Sequence, residues 1–558
     1  MPFNSERHGN PPLTPAWALE CWLWEDDVNT AERVDELLRG YAEHDIPVRT
    51  ILIDSPWSTR YNDFEVDTLR YPQPDKWFRQ LENDGYRVVL WMTSMVNSFS
   101  KDTAIKNSQV WYDGVAEIDF LAGGKLQSKW WKGRGGFIDY SNPAAKKWWQ
   151  AQQQNLFDLG IDGWKLDGTA TFFSSRFLGL PVPYLRSYSG IMTTRQYMDS
   201  YYREEYLHGK KQNPEFVTLA RALDGDFIHP EGFAPIDAAP VTWVGDQEHI
   251  WQAPEIENED GFGDKIFGGS EGLETAIKDI LNSAKLGYNI IGSDVAGFSG
   301  REIPANLYIR WAQFSTFCGL FLNGGHGERA LWKRSQTELQ IIRKFSWLHT
   351  ELVPYIYNYV VSAHAGGKVL QRSTGIDYNY FFGDDFFVAP IFQDSFHQEV
   401  VLPPGRWRYF FDDRGIIDGG NKVARDFPLD EYPFFVRDGA IIPLNIKRDY
   451  TGFGDQNSAG YLTWLIYPHD KNKIQVFHPD NGGETTVAVE QKNKQINVKF
   501  TGHKMPHILL IATADKPKTV LLDNKSLKPV RNWNYDATKQ RLKITTDLYE
   551  NGNYQIDF

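Results

Sequence analysis

Short apolar runs alternate with amphipathic helical patterns through the first two-thirds of the chain. The apolar runs are bounded by turn residues, which is typical of buried parallel strands. Between them, apolar residues recur at i, i+3, i+4 and i+7 and therefore share one helix face. Two such groups are Val34, Leu37, Leu38, Tyr41 and Ile277, Ile280, Leu281, Ala284. The candidate strands are residues 16–22, 48–53, 87–91, 163–166, 216–220, 241–244, 289–292 and 318–322.

Eight strand–helix pairs predict a (β/α)8 TIM barrel. The barrel domain is assigned to residues 1–366, because a helix around 348–364 is followed by Gly366 and Gly367, after which the pattern changes. Two long segments, 97–136 and 168–212, follow the third and fourth strands. Barrel loops on that side build active sites, so we expect both segments to lie near a functional site.

The last third of the chain is strand-like. From Lys368 onward, short apolar runs are separated by Pro, Gly and Asp turns, and a polar, glycine-bearing connector covers residues 447–460. This pattern predicts two all-β domains after the barrel. The proximal one is assigned to residues 367–450 and the distal one, a β-sandwich, to residues 451–558.

Composition and charge exclude several classes of function. The net charge is −13 and no run of Lys and Arg stands out, so a nucleic-acid partner is not expected. No run of about eighteen apolar residues predicts a membrane span, and the first residues lack a basic and apolar leader. We therefore expect a cytoplasmic protein as the chain stands, or a periplasmic or secreted one if a leader has been removed. Two cysteines, Cys21 and Cys318, cannot form a disulfide framework.

Charged residues follow the apolar runs at their carboxyl ends. In a parallel barrel these ends meet at one mouth, so we expect the side chains to converge there. One such residue alone is commonly a helix cap, but five on separate strands make coincidence a weaker explanation. They are Asp54, Asp167, Arg221, Asp246 and Asp294.

The residue types at the mouth narrow the chemistry. A transition-metal site would bring histidines, and only His249 and His326 lie near these segments, so no metal is predicted. The glycine-rich segment 261–272 does not match the phosphate-loop pattern of a glycine cradle followed by Lys and Ser/Thr, and no dinucleotide fingerprint is present, so no cofactor is expected. Two carboxyl groups among many aromatic side chains fit glycoside cleavage, in which one group protonates the leaving oxygen and the other attacks or activates water.

These segments resemble glycoside hydrolase family 31, the retaining α-glycosidases, over nearly all of residues 15–447. The order of the segments along the chain, and no single one of them, supports the resemblance. The segments are ILIDSPW at 51–57, GIDGWKLDGT at 160–169, TLAR at 218–221, TWVGDQ at 242–247, GSDVAGF at 292–298, NGGHGE at 323–328 and PLDEYPFFVRDGAIIPL at 428–444.

The resemblance implies a role for each matching residue. Asp167 takes the place of the nucleophile and Asp246 that of the acid/base. A family member needs no cofactor and takes a carbohydrate substrate. The residues expected to bind the sugar are Asp54, Trp57, Trp91, Lys165, Arg221, Trp243, Asp294 and His326.

Departures from the family pattern bear on the sugar. Many glucosidases of the family have Glu three residues after the nucleophile, where this chain has Ala170, and a second Asp where it has Pro56 followed by Trp57. The segment WKLDG at residues 164–168 is more like the nucleophile segment of the relatives that act on α-galactosides. Members of the family usually begin with a β-sandwich domain. Only about fifteen residues precede the first predicted strand here, so we expect either a trimmed chain or a member without that domain.

The resulting hypothesis is an exo-acting retaining α-glycosidase, with α-galactosides as the favoured substrates. An α-glucosidase, an α-xylosidase or a transglycosidase of the same family is the nearest alternative, and a non-catalytic carbohydrate-binding protein is a more distant one. Double displacement requires Asp167 to be ionised, with Lys165 or Arg221 as the expected cationic neighbour, and Asp246 to be protonated through negative charge and partial burial. Oligomerisation is left open.

Overall fold

The computed structural model describes residues 9–102, 105–106, 108–168, 175–177, 180–182, 184–223, 233–252, 271–479, 482–549 and 551–558. The chain forms two compact units, Met1–Pro304 with Leu320–Arg334, and Ala305–Gly319 with Ser335–Phe558.

Eight parallel strands form a nearly closed barrel in the first unit. The first seven strands pair in chain order, and the eighth pairs with the first. Between the seventh and the eighth strands, the Leu320 N–H donates to the Ile291 carbonyl at 3.2 Å. The predicted barrel is confirmed. Its strands are β1 Trp22–Leu23, β2 Thr50–Ile53, β3 Arg87–Met92, β4 Gly163–Leu166, β5 Val217–Arg221, β6 Val241–Trp243, β7 Ile291–Gly292 and β8 Leu322–Asn323.

The prediction for the first strand was wrong over most of its length. Residues 16–19 form a 3-10 helix, and the strand itself is only Trp22–Leu23. Buried aromatic and aliphatic side chains occupy both elements, so the apolar run alone does not distinguish them. The eighth strand likewise begins at Leu322, the last residue of the predicted run.

The helices of the first unit begin and end at recognisable signals. At the start of the helix Ala31–Glu43 the Thr30 hydroxyl accepts the Arg33 N–H at 3.3 Å, and the helix Leu273–Leu286 stops at Gly287, whose φ of 109° lies in the left-handed region. The apolar positions that predicted these two helices are buried. The helices are α1 Ala31–Glu43, α2 Pro74–Asn83, α3 Gln109–Glu117, α4 Pro143–Gln152, α5 Gln154–Asp158, α6 Thr194–Gln212 and α7 Leu273–Leu286, with 3-10 turns at Ala16–Leu19, Ile236–Ala238 and Leu331–Lys333.

The two long segments predicted after the third and fourth strands carry antiparallel structure of their own. After β3, a four-stranded sheet is built from Met95–Ser100, Leu121–Ala122, Ser128–Trp130 and Gly133–Ile138. After β4 come two paired ribbons, Ser175–Phe177 with Leu180–Val182 and Tyr184–Ser187 with Gly190–Thr193.

The second unit contains three helices and the C-terminal β-structure. The helices are α8 Ala305–Thr316, α9 Gln336–Glu351 and α10 Val353–His364, with a 3-10 turn at Gln456–Ser458. A six-stranded sheet comprises Gln371–Ser373, Tyr380–Phe382, Phe386–Val388, Phe434–Arg437, Arg406–Tyr409 and Asp412–Asp418, and a separate pair comprises His397–Val401 and Lys422–Asp426.

Two further sheets of the second unit share one hydrophobic core, in which the ring centroids of Trp464 and Phe500 lie 5.4 Å apart. The prediction of all-β structure after the barrel is confirmed, whereas the boundaries at 366/367 and 450/451 stay predictions. One sheet comprises Ile441–Leu444, Leu462–Ile466, Met505–Ala512, Arg541–Tyr549 and Trp533–Asp536. The other comprises Lys471–Phe477, Glu484–Lys492, Gln495–Gly502, Gly552–Asp557, Thr519–Leu522 and Lys525–Ser526.

Candidate active site

A cavity of about 600 Å³ lies where the barrel strands end. Its walls come from residues within or directly after the carboxyl ends of the strands, which is where barrel enzymes place their reactive groups. Seven of the ten residues predicted for the site line this cavity, namely Asp54, Trp91, Lys165, Asp167, Arg221, Asp246 and His326.

Arg221 joins the two predicted catalytic carboxyl groups. Its Nη2 atom donates to Asp167 Oδ1 at 3.3 Å and to Asp246 Oδ2 at 3.0 Å. Since both distances end at one nitrogen, these two oxygens are at most about 6.3 Å apart. Retaining glycosidases hold their carboxyl groups roughly 5–5.5 Å apart and inverting ones roughly 6.5–9.5 Å, so this upper bound is compatible with a retaining pair.

The electrostatic setting of Asp246 differs from the one expected. Desolvation by the surrounding protein raises the pKa of its carboxyl group, but the charges of Arg221 and Lys165 lower it more, and the net pKa lies below the usual 3.8. The expectation of a protonated Asp246 is therefore not met. The carboxyl group is half-exposed, with 46% of the side chain accessible, so a ligand can reach it and separate it from Arg221.

Trp91 holds the other oxygen of Asp167. The indole Nε1 donates to Asp167 Oδ2 at 3.0 Å, while Arg221 occupies Oδ1. The carboxyl plane is thereby fixed from two sides, as positioned nucleophiles require. Ala170, the departure noted three residues further on, lies outside the described residues.

A buried ion pair forms the floor of the cavity. Lys165 Nζ donates to Asp54 Oδ2 at 2.7 Å, and both side chains are about 95% buried. The ammonium lies 4.0 Å from the ring centroid of Trp24 and 5.5 Å from that of Trp243, within cation–π range. Burial lowers the pKa of Lys165, but four surrounding aspartates outweigh this effect and the net pKa is raised.

Three of the predicted sugar-binding residues do not line the cavity. Trp57 is buried, and its indole N–H donates to the carbonyl of Trp91 on β3 at 2.7 Å, so its side chain packs against β3 instead of facing the cavity. Trp243 is fully buried, with the Arg221 guanidinium over its ring at 4.7 Å. Both indoles thus contact residues that line the cavity.

The third of these residues, Asp294, is a buried acid. The residue is 1% exposed, and its Oδ2 has no hydrogen-bond partner among the described residues. Burial and the charges of Asp246 and Asp54 raise the pKa of Asp294 to about 7, although Lys165 acts in the opposite direction.

Replacing Asp294 by Asn should make the stability of the protein less sensitive to a rise in pH between about pH 4 and about pH 7. With a folded pKa of about 7 against an ordinary 3.8, the carboxyl group stabilises the fold most below pH 3.8. That stability is lost between roughly pH 4 and pH 7, by up to about 1.4 kcal/mol per pH unit. The melting temperature of the wild type should therefore fall more from about pH 5 to about pH 8 than that of Asp294→Asn.

The exposed Asp113 provides the matched control, since its conversion to Asn should leave the pH dependence of melting unchanged. Identical pH dependence in the Asp294 variant and the wild type would contradict the assignment.

Two further acids of the cavity were not predicted. Asp26 and Asp27 follow β1 and line the wall beside His326, whose Nδ1 lies 2.8 Å from Asp27 Oδ1. Burial and the charge of Asp54 raise the pKa of Asp26 to about 8, against the effects of Lys165, Lys132 and the Asn29 amide. Asp26 and Asp27 are the third and fourth residues after Leu23, and Glu25, the first charged residue after β1, is not among the residues that line the cavity.

Two residues of a hairpin turn, Trp131 and Lys132, also line the cavity. They lie in the long segment predicted to approach the site, but no sequence signal distinguished them from its other residues. Among the described residues, no cluster of three or more His, Cys, Asp or Glu has the arrangement of a metal site.

Comparison with known proteins identifies the family. The model "Glycosyl hydrolases family 31 TIM-barrel domain" matches residues 11–359, and "Glycosyl hydrolase family 31 C-terminal domain" matches residues 367–442. In the described part of the chain, no helix has the length and apolarity needed to cross a bilayer.

Curated relatives are similar at a modest level. An α-xylosidase of Emericella nidulans is 26% identical over 79% of this chain, and α-glucosidase 2 of Bacillus thermoamyloliquefaciens is 23% identical over 86%. The chain spans 55% and 60% of the lengths of these two proteins.

Solved structures support the same fold. A family 31 dextranase of Flavobacterium johnsoniae, complexed with isomaltotriose, superposes with a TM-score of 0.83 at 20% identity, covering 99% of this chain and 72% of that one. A cycloalternan-forming enzyme of Listeria monocytogenes gives 0.82 at 20% identity, with coverages of 99% and 55%. With the barrel model matching well over half of its residues, the chain belongs to glycoside hydrolase family 31.

Proposed function

We propose that the protein is a retaining exo-α-glycosidase that releases a terminal α-linked sugar. The observation that supports this proposal is the bridge from one Arg221 nitrogen to Asp167 and Asp246, since it holds one oxygen of each carboxyl group close to the other, as a retaining pair needs. The pocket of about 600 Å³ at the end of the barrel lies in the size range of small-molecule sites.

The reaction has two displacements. In the first, an Asp167 oxygen bonds to the anomeric carbon as the glycosidic bond breaks, and the departing oxygen takes a proton from Asp246. In the second, Asp246 removes a proton from water, the water oxygen bonds to the anomeric carbon, and Asp167 leaves with its bonding electrons. Both carboxyl groups then return to their starting states, and the sugar keeps its α configuration.

Substrate entry has to change the protonation of Asp246. Arg221 favours the ionised form of the Asp246 carboxyl group, which cannot donate a proton. A sugar oxygen that enters between the guanidinium and Asp246 weakens their ion pair and excludes water, and both changes raise the pKa. The half-exposed position of Asp246 permits this separation.

We infer a gluco-configured sugar, as in α-glucosides or α-xylosides, in place of the galactosides favoured from the sequence. In the sequence, the departure at Pro56 and Trp57 counted against glucosides, and Trp57 was expected to bind the sugar. Trp57 is buried and donates its indole N–H to the Trp91 carbonyl, so it does not line the cavity. The relatives are named for xylosides, glucosides and isomaltosyl transfer, which agrees with the gluco configuration. Transfer to a second sugar shares the glycosyl-enzyme intermediate and stays an alternative outcome.

A substrate panel tests this function. We expect 4-nitrophenyl α-glucoside or α-xyloside to exceed the α-galactoside in kcat/KM by at least about tenfold, because a site that pairs hydroxyl groups rejects a misplaced one. The α-N-acetylgalactosaminide and the α-sulfoquinovoside complete the panel. Proton NMR of the released sugar should show the α anomer first.

The panel separates the parts of the proposal. A clear preference for the galactoside would overturn the gluco assignment alone. First appearance of the β anomer would contradict retention, and failure to cleave any of the five glycosides would contradict the exo-glycosidase function.

A further inference from the structure

A two-residue turn carries an aromatic side chain to the edge of the catalytic cavity. Trp131 and Lys132 connect the paired strands Ser128–Trp130 and Gly133–Ile138. The Lys101 N–H donates to the Lys132 carbonyl at 2.9 Å. At Gly133, whose φ is 145°, an added Cβ would lie 2.0 Å from the Phe99 carbonyl oxygen. The turn is therefore held tightly against the neighbouring strand.

Trp131 ends a row of three indoles that begins at Asp167. Trp91 donates to Asp167, Trp130 stacks on Trp91 with centroids 6.3 Å apart, and Trp131 packs against Trp130 at 5.2 Å. The exposed fraction of the residue is 3% for Trp91, 4% for Trp130 and 42% for Trp131. The outermost indole thus lines the cavity with much of its surface in water.

An exposed indole at this place suits a sugar ring. Its flat apolar surface can pack against the C–H groups of a pyranose, and covering it removes apolar area from water. Lys132, Asp102 and Arg70 line the same cavity and offer hydrogen-bonding groups of both kinds to hydroxyls. The inner part of the cavity, where Trp91 contacts Asp167, is the place of the sugar under attack, so the outer indole fits the next ring.

We propose that Trp131 determines leaving-group specificity by stacking on the sugar ring that departs from the cleaved bond. This inference rests on the proposed glycosidase function. It assigns Trp131 to the leaving-group side of the scissile bond, so the residue matters for substrates whose leaving group is a ring and not for those without one.

Two substrates with the same reacting sugar test the assignment. α-Glucosyl fluoride has no ring in its leaving group, whereas the leaving group of isomaltose is glucose. We expect Trp131→Ala to lower kcat/KM for isomaltose by about tenfold, the loss of one modest stacking contact, and that for the fluoride by less than about twofold. Trp131→Phe should retain most of the activity on isomaltose. If the panel selects another sugar, its fluoride and its α-linked disaccharide replace these two.

Phe99 provides the matched control. It is an aromatic residue of the same small sheet, 44% exposed, and it is not among the residues that line the cavity. Phe99→Ala should leave kcat/KM unchanged for both isomaltose and α-glucosyl fluoride. Equal losses on both substrates in Trp131→Ala would place the indole on the reacting sugar, and no loss on either would remove it from substrate binding, so both results overturn the inference. Failure of the wild type to cleave any α-glycoside would count against the proposed function instead.

Discussion

Asp167→Asn should lower kcat by at least about a thousandfold on every α-glycoside the enzyme cleaves, because an amide cannot form the glycosyl ester. The fold should persist, since Asn matches the volume of Asp and its side-chain oxygen can still accept the Trp91 N–H. Steady-state kinetics with a 4-nitrophenyl glycoside measure the loss, and a thermal melt close to that of the wild type establishes that the variant is folded.

Reaction with azide tests whether Asp167 is the nucleophile. In Asp167→Ala, azide can attack the sugar from the face left open by the carboxylate, so the product should be a β-glycosyl azide. Trapping the wild type with a 5-fluoro glycosyl fluoride, followed by peptide mapping, should label Asp167. A label on another residue, or near-normal turnover in Asp167→Asn, would remove the nucleophile assignment.

The second large effect is expected at Asp246. Asp246→Ala should reduce kcat/KM for a disaccharide by roughly 10²–10⁴-fold, the usual contribution of a general acid. For glycosyl fluoride, whose leaving group needs little protonation, the loss should be within about tenfold. The comparison of the two substrates in one variant measures this difference directly.

Two results check that Asp246 acts as both acid and base. Azide needs no general base, so it should accelerate breakdown of the glycosyl-enzyme in Asp246→Ala and give the α-glycosyl azide, the anomer opposite to that from Asp167→Ala. Equal losses for disaccharide and fluoride would show that Asp246 serves binding or structure and not proton transfer.

The sequence predicted the positions of the strand-end side chains because one rule covers them. The carboxyl ends of parallel strands meet, so Asp54, Asp167, Arg221 and Asp246 could be brought together without knowing any loop. Asp26 escaped that rule, since the apolar run before it contains a 3-10 helix as well as a strand, and its hydrophobic pattern resembles one longer strand.

Other features depend on distances that sequence order does not contain. Trp57 lies only three residues beyond Asp54, yet its indole turns to the Trp91 carbonyl and away from the cavity. The pKa of Asp246 falls because the guanidinium of Arg221 on β5 lies 3.0 Å away, a contact that the pairing of β5 with β6 brings about. Trp131 reaches the cavity only because its hairpin folds back over the strand ends.

The ion pair at the cavity floor also bears on how the protein can be attached to surfaces. Acylating reagents react with free amines, and the raised pKa of Lys165, with Asp54 at 2.7 Å, leaves almost none of its amine free. By contrast, the side chains of Lys471 and Lys492 are 71% and 69% exposed. Coupling to an amine-reactive support should therefore proceed through such surface lysines and leave the floor of the cavity unmodified.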